Sequence, residues 1–273
     1  MGRFRIYQIY YNQKTFEQLD SGFTPLDNSI NSRPEWYEFW AIKNFLDTHV
    51  LEDSTFYGFV SPRFLHKTHL TAEKLKALMK PHAHNIDVFL LATSWSQVAY
   101  FKNPFEQGEY WHPGILDLSQ QVVDTLAWDM KLNDLICSTH DFAFCNYIFA
   151  KKSYWIQWRK YADQFFNLVE NQTGSFGDTL RGHTQYAARM APMRAFIQER
   201  LPAIILKKDK YRTYSIGNAT TFPIDATLFR NPGVYERAVL QTCNLLKYRY
   251  NQDGNPEHLS AYLHIRQQAQ LTK

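Results

Sequence analysis

The stretch Thr55-Phe56-Tyr57-Gly58-Phe59-Val60 runs into Ser61-Pro62-Arg63. Its β-branched and aromatic residues read as a strand, and Pro62 stops it. Upstream, Ser32-Arg33-Pro34-Glu35 supplies an S-x-x-E capping box with proline in the first turn. Trp36, Phe39, Trp40 and Leu46 follow at helical spacing. Before that helix, Asp20–Asn31 reads as a polar loop and Phe4–Tyr11 as a first strand, with Asn12-Gln13-Lys14 as the loop at its carboxyl end. Downstream, Thr71–Lys80 predicts a short helix closed by Pro81, and Asn85–Ala92 a buried strand. Strand, helix, strand, helix, strand in this order predicts an α/β fold with a mostly parallel sheet flanked by helices.

The second half is harder to read. Trp95–His112 is aromatic but broken by Pro104 and Gly108, and the expectation is a long binding loop. Leu118–Lys131 predicts a helix, Phe142–Ala150 a strand, and Ser153–Glu170 a strongly apolar-faced helix. Gln172–His183, with three glycines, predicts a loop or hinge, and Ala187–Leu201 a helix. Ile204–Leu206 and Tyr211–Ile216 are candidate edge strands, and Pro232 opens a last long helix through Tyr250. Residues 1–252 then form one domain, and 253–273 a C-terminal helix or tail.

Composition narrows the class. With 45% hydrophobic and 21% charged residues among 273, the chain is globular rather than disordered. Its 20 Phe, 17 Tyr and 7 Trp suit core packing and stacking on sugars or bases. The net charge of +4 is scattered, which fits a small anionic ligand and excludes a basic nucleic-acid track as the leading reading. Three cysteines without C-x-x-C spacing give no disulfide framework or zinc ribbon. There is no signal-like apolar core and no run approaching about 20 apolar residues. The expected location is cytoplasmic, so the sequons at Asn171 and Asn218 are accidental there.

No P-loop, dinucleotide fingerprint, zincin or nucleophile-elbow motif is present. His66-x-x-His69 and His82-x-His84 lack converging carboxylates or thiolates, so solvated histidines are expected and no metal ligand is assigned. Ligands of open parallel sheets sit beyond the carboxyl ends of strands. That points to Tyr10-Tyr11-Asn12-Gln13, to Ser61-Pro62-Arg63, and to the Ser138-Thr139-His140-Asp141 turn.

Four blocks in order carry a resemblance. They are the Trp36–Leu46 helix, Phe56-Tyr57-Gly58-Phe59-Val60-Ser61-Pro62-Arg63-Phe64, Asn146-Tyr147-Ile148-Phe149-Ala150-Lys151-Lys152 with its following helix, and Glu199-Arg200-Leu201. Over roughly residues 4–205 the chain resembles a family of small glycosyltransferases of bacterial polysaccharide loci, with a GT-A-like (Rossmann-like) domain, formerly a domain of unknown function. It departs at Ser61-Pro62, where that family more often carries His-Tyr before its Arg.

The resemblance implies a cytoplasmic enzyme, at the inner face of the membrane if its acceptor is lipid-linked. It would move a hexose from a nucleotide-sugar donor, UDP-linked by expectation, to a glycan or lipid-linked acceptor. No nucleic-acid partner is implied. Such chemistry needs a cation to stabilise the leaving diphosphate and, in inverting enzymes, a base for the acceptor hydroxyl.

No Asp-x-Asp follows Thr55–Val60, so Mg2+ or Mn2+ stays an open question, and Arg63 stands where that motif would. Asp141, assisted by His140, is the candidate base, against a turn aspartate as the alternative. Glu199 and Arg200 enter through the resemblance, as catalytic and donor-binding residues respectively; an ordinary helical ion pair is their alternative. Tyr10, Tyr11, Asn12, Ser32 and Arg33 are donor-binding candidates, the last two as contacts at a helix N-terminus. Trp95, Tyr110 and Trp111 are acceptor-binding candidates, against core packing. A non-catalytic carbohydrate-binding or assembly module keeps the same fold without the chemistry.

Overall fold

In the computed structural model the first part of the chain alternates strands and helices. It runs β1 (Arg3–Tyr10), α1 (Gln13–Phe16), β2 (Thr24–Asp27), α2 (Tyr37–Thr48), β3 (Thr55–Val60), α3 (Phe64–Thr68), α4 (Ala72–Met79) and β4 (Val88–Leu90). Then come α5 (Trp95–Tyr100), α6 (Pro104–Trp111), α7 (Ile115–Thr125), β5 (Ile148–Ala150), α8 (Lys152–Asn171) and α9 (Gly174–Arg181). The hairpin β6 (His183–Tyr186) and β7 (Arg189–Pro192) leads to α10 (Met193–Gln198), α11 (Leu201–Lys208), β8 (Thr213–Ser215), α12 (Val234–Asp253) and α13 (Pro256–Ile265). The structure describes residues 3–186, 189–217, 222–230 and 232–272.

One sheet runs in the order β2-β1-β3-β5-β4-β8. β5 is antiparallel to its neighbours β3 and β4, and the remaining pairings are parallel. Side chains alternate across this sheet as the strand period requires. Tyr57, Phe59, Val88, Leu90 and Ile148 face one core, shared with α2, α7, α8, α10 and α11. Ile6, Phe56, Val60, Phe89 and Phe149 face the other, shared with α4, α5 and α12. Each of these fully buried side chains contributes roughly 1.5–3 kcal/mol relative to exposure.

Gly58 stands opposite Phe149 of β5, and a Cβ there would lie 2.2 Å from Phe149 Cδ1. Lys247 is fully buried and donates to the carbonyls of Val98 and Phe101 at 2.5 and 2.6 Å, which satisfies the open end of α5. Burial pushes its ammonium down to about 8.

The structure corrects several expectations. Trp95–His112 is two helices, because Asn103 accepts from the amides of Phe105 and Glu106, each at 2.9 Å, and Pro104 opens α6. The apparent breakers are a helix start. The Ser32–Glu35 box is not formed: no side chain caps the short 3-10 turn Pro34–Trp36, and α2 begins only at Tyr37. The polar Asp20–Asn31 segment holds the edge strand β2, and Gln172–His183 is mostly α9, with Gly177 packed where a Cβ would strike Gln172 O at 2.1 Å.

Ile204–Leu206 lies inside α11, with Pro202 in its first turn. Ala187–Leu201 opens on the hairpin before α10, and residues 187 and 188 lie outside the described residues. Of Phe142–Ala150 only the last three residues are strand. The sequon at Asn218 also lies outside the described residues. Among the described residues no helix is long and apolar enough to cross a membrane.

Candidate functional site

From β1 the chain passes to β2 on one side, while β3 pairs with β1 on the other. The loops that leave β1 and β3 therefore diverge, and such a switch point opens a crevice beyond the strand ends. A cleft of about 390 Å³ lies there. Buried Gln8 ties its two lips together: its Nε2 donates to Ser61 O at 3.3 Å, and its Oε1 accepts from Asp20 N at 2.8 Å. After β1, Asn12 caps α1 by accepting from Thr15 N at 3.0 Å, which sets Tyr11 and Thr15 on the cleft wall. β5 runs the other way, so its start brings Asn146 and Tyr147 to the same end of the sheet, and the Ser61 and Tyr147 hydroxyls bond at 2.9 Å.

After β3, Arg63 and Lys67 line the cleft four residues apart, one turn of helix. Both are exposed, and among the described residues neither forms a salt bridge. Facing them are two carboxylates, Glu38 and Glu199. Glu38 is engaged by the Tyr11 hydroxyl, and burial together with that carboxylate holds the Tyr11 phenol well above its usual range. Glu199 is half-buried; burial pushes its carboxyl up to about 7, Arg200 opposes the shift and Glu38 adds to it. Its protonation therefore changes near neutral pH.

Tyr37 completes the wall from the start of α2 with φ 48° and ψ −133°, a left-handed conformation that a tyrosine adopts only under constraint. Strain of this kind, about 1–3 kcal/mol, gathers at ligand sites. Phe196 forms the back, with the His112 ring stacked on it at 3.8 Å. Burial, then Arg200, pulls His112 down to about 4, so that imidazole is neutral at pH 7.

This places some sequence candidates in the cleft and others elsewhere. Tyr11, Arg63 and Glu199 line it. Tyr10 and Asn12 belong to the loop beside it: Tyr10 packs edge-on against Phe16 and hydrogen-bonds Asp27, and Asn12 is a helix cap. Arg33 pairs with Glu170 at 2.7 Å, and Ser32 is exposed without lining the cleft.

Arg200 is fixed behind the cleft rather than in it. It donates to Pro104 O, Phe196 O and Gln107 Oε1 at 2.7, 2.7 and 2.6 Å, and Gly108 leaves room for its guanidinium. Trp95 is buried and donates to Phe222 O at 2.8 Å; Trp111 donates to Gln97 Oε1 at 3.1 Å, and Tyr110 packs between Phe101 and Trp111. All three of those rings pack against the α5–α12 core, away from the cleft. Asp141 and His140 line a different recess, where Asp141 is held in a turn by Ser138 N at 2.7 Å and paired with Lys207 at 2.5 Å.

Sequence reading missed Tyr37, Glu38 and Lys67. Lys67 was findable as the residue one helical turn beyond Arg63, whereas Glu38 was hidden because the helix start was placed too early. Among the described residues no three His, Cys, Asp or Glu side chains converge as a metal cage. Glu38 and Glu199 are the carboxylates the cleft could offer a divalent cation, and Glu38 is already hydrogen-bonded to Tyr11.

No protein-family profile matches the chain, and no curated protein does. Among solved structures it is similar to an apo structure of the bifunctional glycosyltransferase WbbM, with 14% identity and a TM-score of 0.45. The match covers 78% of this chain and 44% of that one, so the chain spans less than half of that protein's length.

Proposed function

We propose that this chain is a nucleotide-sugar-dependent glycosyltransferase whose cleft, between Arg63, Lys67, Tyr37 and Glu199, holds the donor. The observation that carries the reading is two exposed cations, neither held in a salt bridge among the described residues, in an aromatic-walled cleft at a topological switch point, with Lys67 near enough to Glu199 to oppose the rise of its carboxyl to about 7. The resemblance in the Phe56–Phe64 and Asn146–Lys152 blocks points the same way, since the first block ends on this cleft and the second begins on it.

In this reading Arg63 and Lys67 bind the donor's diphosphate. As the bond from the anomeric carbon to the phosphate oxygen breaks, charge grows on the leaving group, where fixed cations stabilise it more than in the ground state. Glu199 takes the proton of the acceptor hydroxyl as its oxygen bonds to the anomeric carbon; a base with pKa near the working pH suits that task. The role first given to Asp141 passes to Glu199, because Asp141 is already neutralised by Lys207. Mg2+ or Mn2+ would add to the phosphate charge stabilisation, and a hard cation needs only one or two carboxylates beside phosphate oxygens.

Aromatic rings from Tyr37, Tyr147 and Phe196 offer faces for a base or sugar. Phe16, Leu65 and Met190 are exposed apolar side chains on three of the elements that build the cleft. In this reading these side chains are the candidate contacts for a lipid-linked acceptor and for peripheral association with the inner membrane face.

The test is thermal stabilisation. UDP or another nucleoside diphosphate at millimolar concentration, with and without Mn2+ or Mg2+, raises the melting temperature of the wild type and not of the Arg63→Ala/Lys67→Ala variant. A panel of nucleoside diphosphates that shifts neither protein would remove the reading. Nucleotide binding without sugar transfer or donor hydrolysis would leave a binding module.

A further inference from the structure

The His140-Asp141 turn is a chemical cluster that the cleft does not absorb. It lines a second recess, of about 430 Å³, that shares no lining residue with the cleft. The other walls are the last turn of α11 and the segment that follows it, the start of β8 and the last turns of α12. β8 is the edge strand, three interstrand steps or about 14 Å from β3.

The recess is built, and its charges cancel. Asp141 Oδ2 is paired with Lys207 at 2.5 Å and accepts from Asn251 Nδ2 at 3.4 Å. Asp209 and Lys210 complete two carboxylates and two lysines among its lining residues, beside the His140 imidazole. Asp209 Oδ2 is buried with no hydrogen-bond donor in the structure. That oxygen is closed to solvent, so the other carboxylate oxygen, Oδ1, is the acceptor that Asp209 offers a ligand in the recess.

Two aromatic rings stand beside these groups in fixed poses. Tyr248 packs on His140 at 4.8 Å, and Tyr211 meets Tyr154 edge-on at 5.7 Å. A nucleotide or acidic glycan gains little where net charge is zero, and an apolar ligand would strand the charged groups. Hydroxyl groups satisfy both needs: they donate to Asp209 and accept from Lys210 and Asn251, while a sugar's C–H face covers a tyrosine ring.

We propose that this recess binds a neutral, polyhydroxylated ligand, a stretch of uncharged oligosaccharide, independently of the cleft. The site does not depend on the transferase reading; if that reading holds, the recess grips a glycan away from the bond being made.

The experiment uses the full chain on an array of neutral and acidic oligosaccharides, followed by titration of the bound neutral glycans by ligand-observed NMR. Neutral oligosaccharides bind. Tyr248→Ala weakens them at least tenfold, and Asp209→Asn, which removes the charge and keeps the shape, weakens them several-fold. Arg63→Ala leaves them within twofold. Circular dichroism and melting temperature confirm that each variant is folded, and a misfolded Tyr248→Ala is replaced by Lys210→Ala, which is exposed. Array binding confined to acidic glycans, no binding by any neutral glycan, neutral binding unchanged in folded Tyr248→Ala and Asp209→Asn, or binding lost in Arg63→Ala would each overturn the proposal. Failure of nucleotides to stabilise the protein would not.

Discussion

Replacing Glu199 by Gln separates the cost of this carboxylate from its use. In the unfolded chain a glutamate titrates near 4.5, and in the cleft burial lifts Glu199 to about 7. Below pH 4.5 both states hold the proton and the group costs nothing. Between 4.5 and 7 the folded state keeps a proton that the unfolded state has lost, so stability falls as pH rises, and the full penalty stands above pH 7. At 1.36 kcal/mol per pKa unit the upper bound is about 3.4 kcal/mol; solvent at the half-buried group lowers this to roughly 1–3 kcal/mol. For a chain of this size 1 kcal/mol moves the melting temperature by roughly 2 °C.

Glu199→Gln, neutral and of the same shape, is therefore expected to melt about 2–6 °C above the wild type at pH 8 and to converge with it near pH 4.5. The assay is differential scanning calorimetry of both proteins from pH 4.5 to 8.5. Sugar transfer by the variant falls at least a hundredfold at pH 8, as expected on losing a general base. A constant gap at all pH values, or a variant less stable at pH 8, would refute the placement of this carboxyl.

The remaining expectations concern the frame of the cleft. At position 37 a positive φ reverses the usual helix preference, so Tyr37→Gly melts above Tyr37→Ala by roughly 1 kcal/mol, and both lose nucleotide affinity; the opposite order in calorimetry would show an ordinary helical φ. Gly58→Ala forces a Cβ to within 2.2 Å of a buried ring carbon and costs about 1–3 kcal/mol in urea unfolding, because Phe149 must move. Arg200→Lys leaves some of three carbonyl acceptors without a donor. It lowers stability by about 2–4 kcal/mol while nucleotide affinity, measured by titration calorimetry below the melting point, changes less than threefold.

The fold was legible where local and global signals agree. Thr55–Val60 is a strand with the expected bounds because every position is buried and Pro62 cannot continue the ladder. Phe4–Tyr11 was legible as β1 from its unbroken aromatic and branched run, and α8 from the apolar face of Ser153–Glu170. What failed were segments in which a breaker starts an element instead of ending one. Pro104 with Asn103 opens a helix, and reading it as an interruption turned buried helices into an imagined binding loop; Pro202 opens α11, where Ile204–Leu206 reads as an edge strand.

The site was legible to the extent that strand ends mark it. Tyr11 and Arg63 follow β1 and β3 directly. Glu199 reaches the cleft from 136 residues beyond Arg63, and its raised pKa depends on burial that no local pattern announces. His140 and Asp141 looked like a base and its partner in one dimension; in three, Lys207, 66 residues further on, pairs with Asp141 in a recess apart from the cleft.

The central claim is that Arg63 and Lys67 receive a nucleotide's diphosphate opposite Glu199. A crystal structure with a bound nucleoside diphosphate tests it most directly. Phosphate density within hydrogen-bonding distance of Arg63 and Lys67, with the base or ribose against the aromatic wall, is the predicted result. Ordered nucleotide in the Asp141–Lys207 recess, with the cleft at the ends of β1 and β3 free of it, would contradict the account.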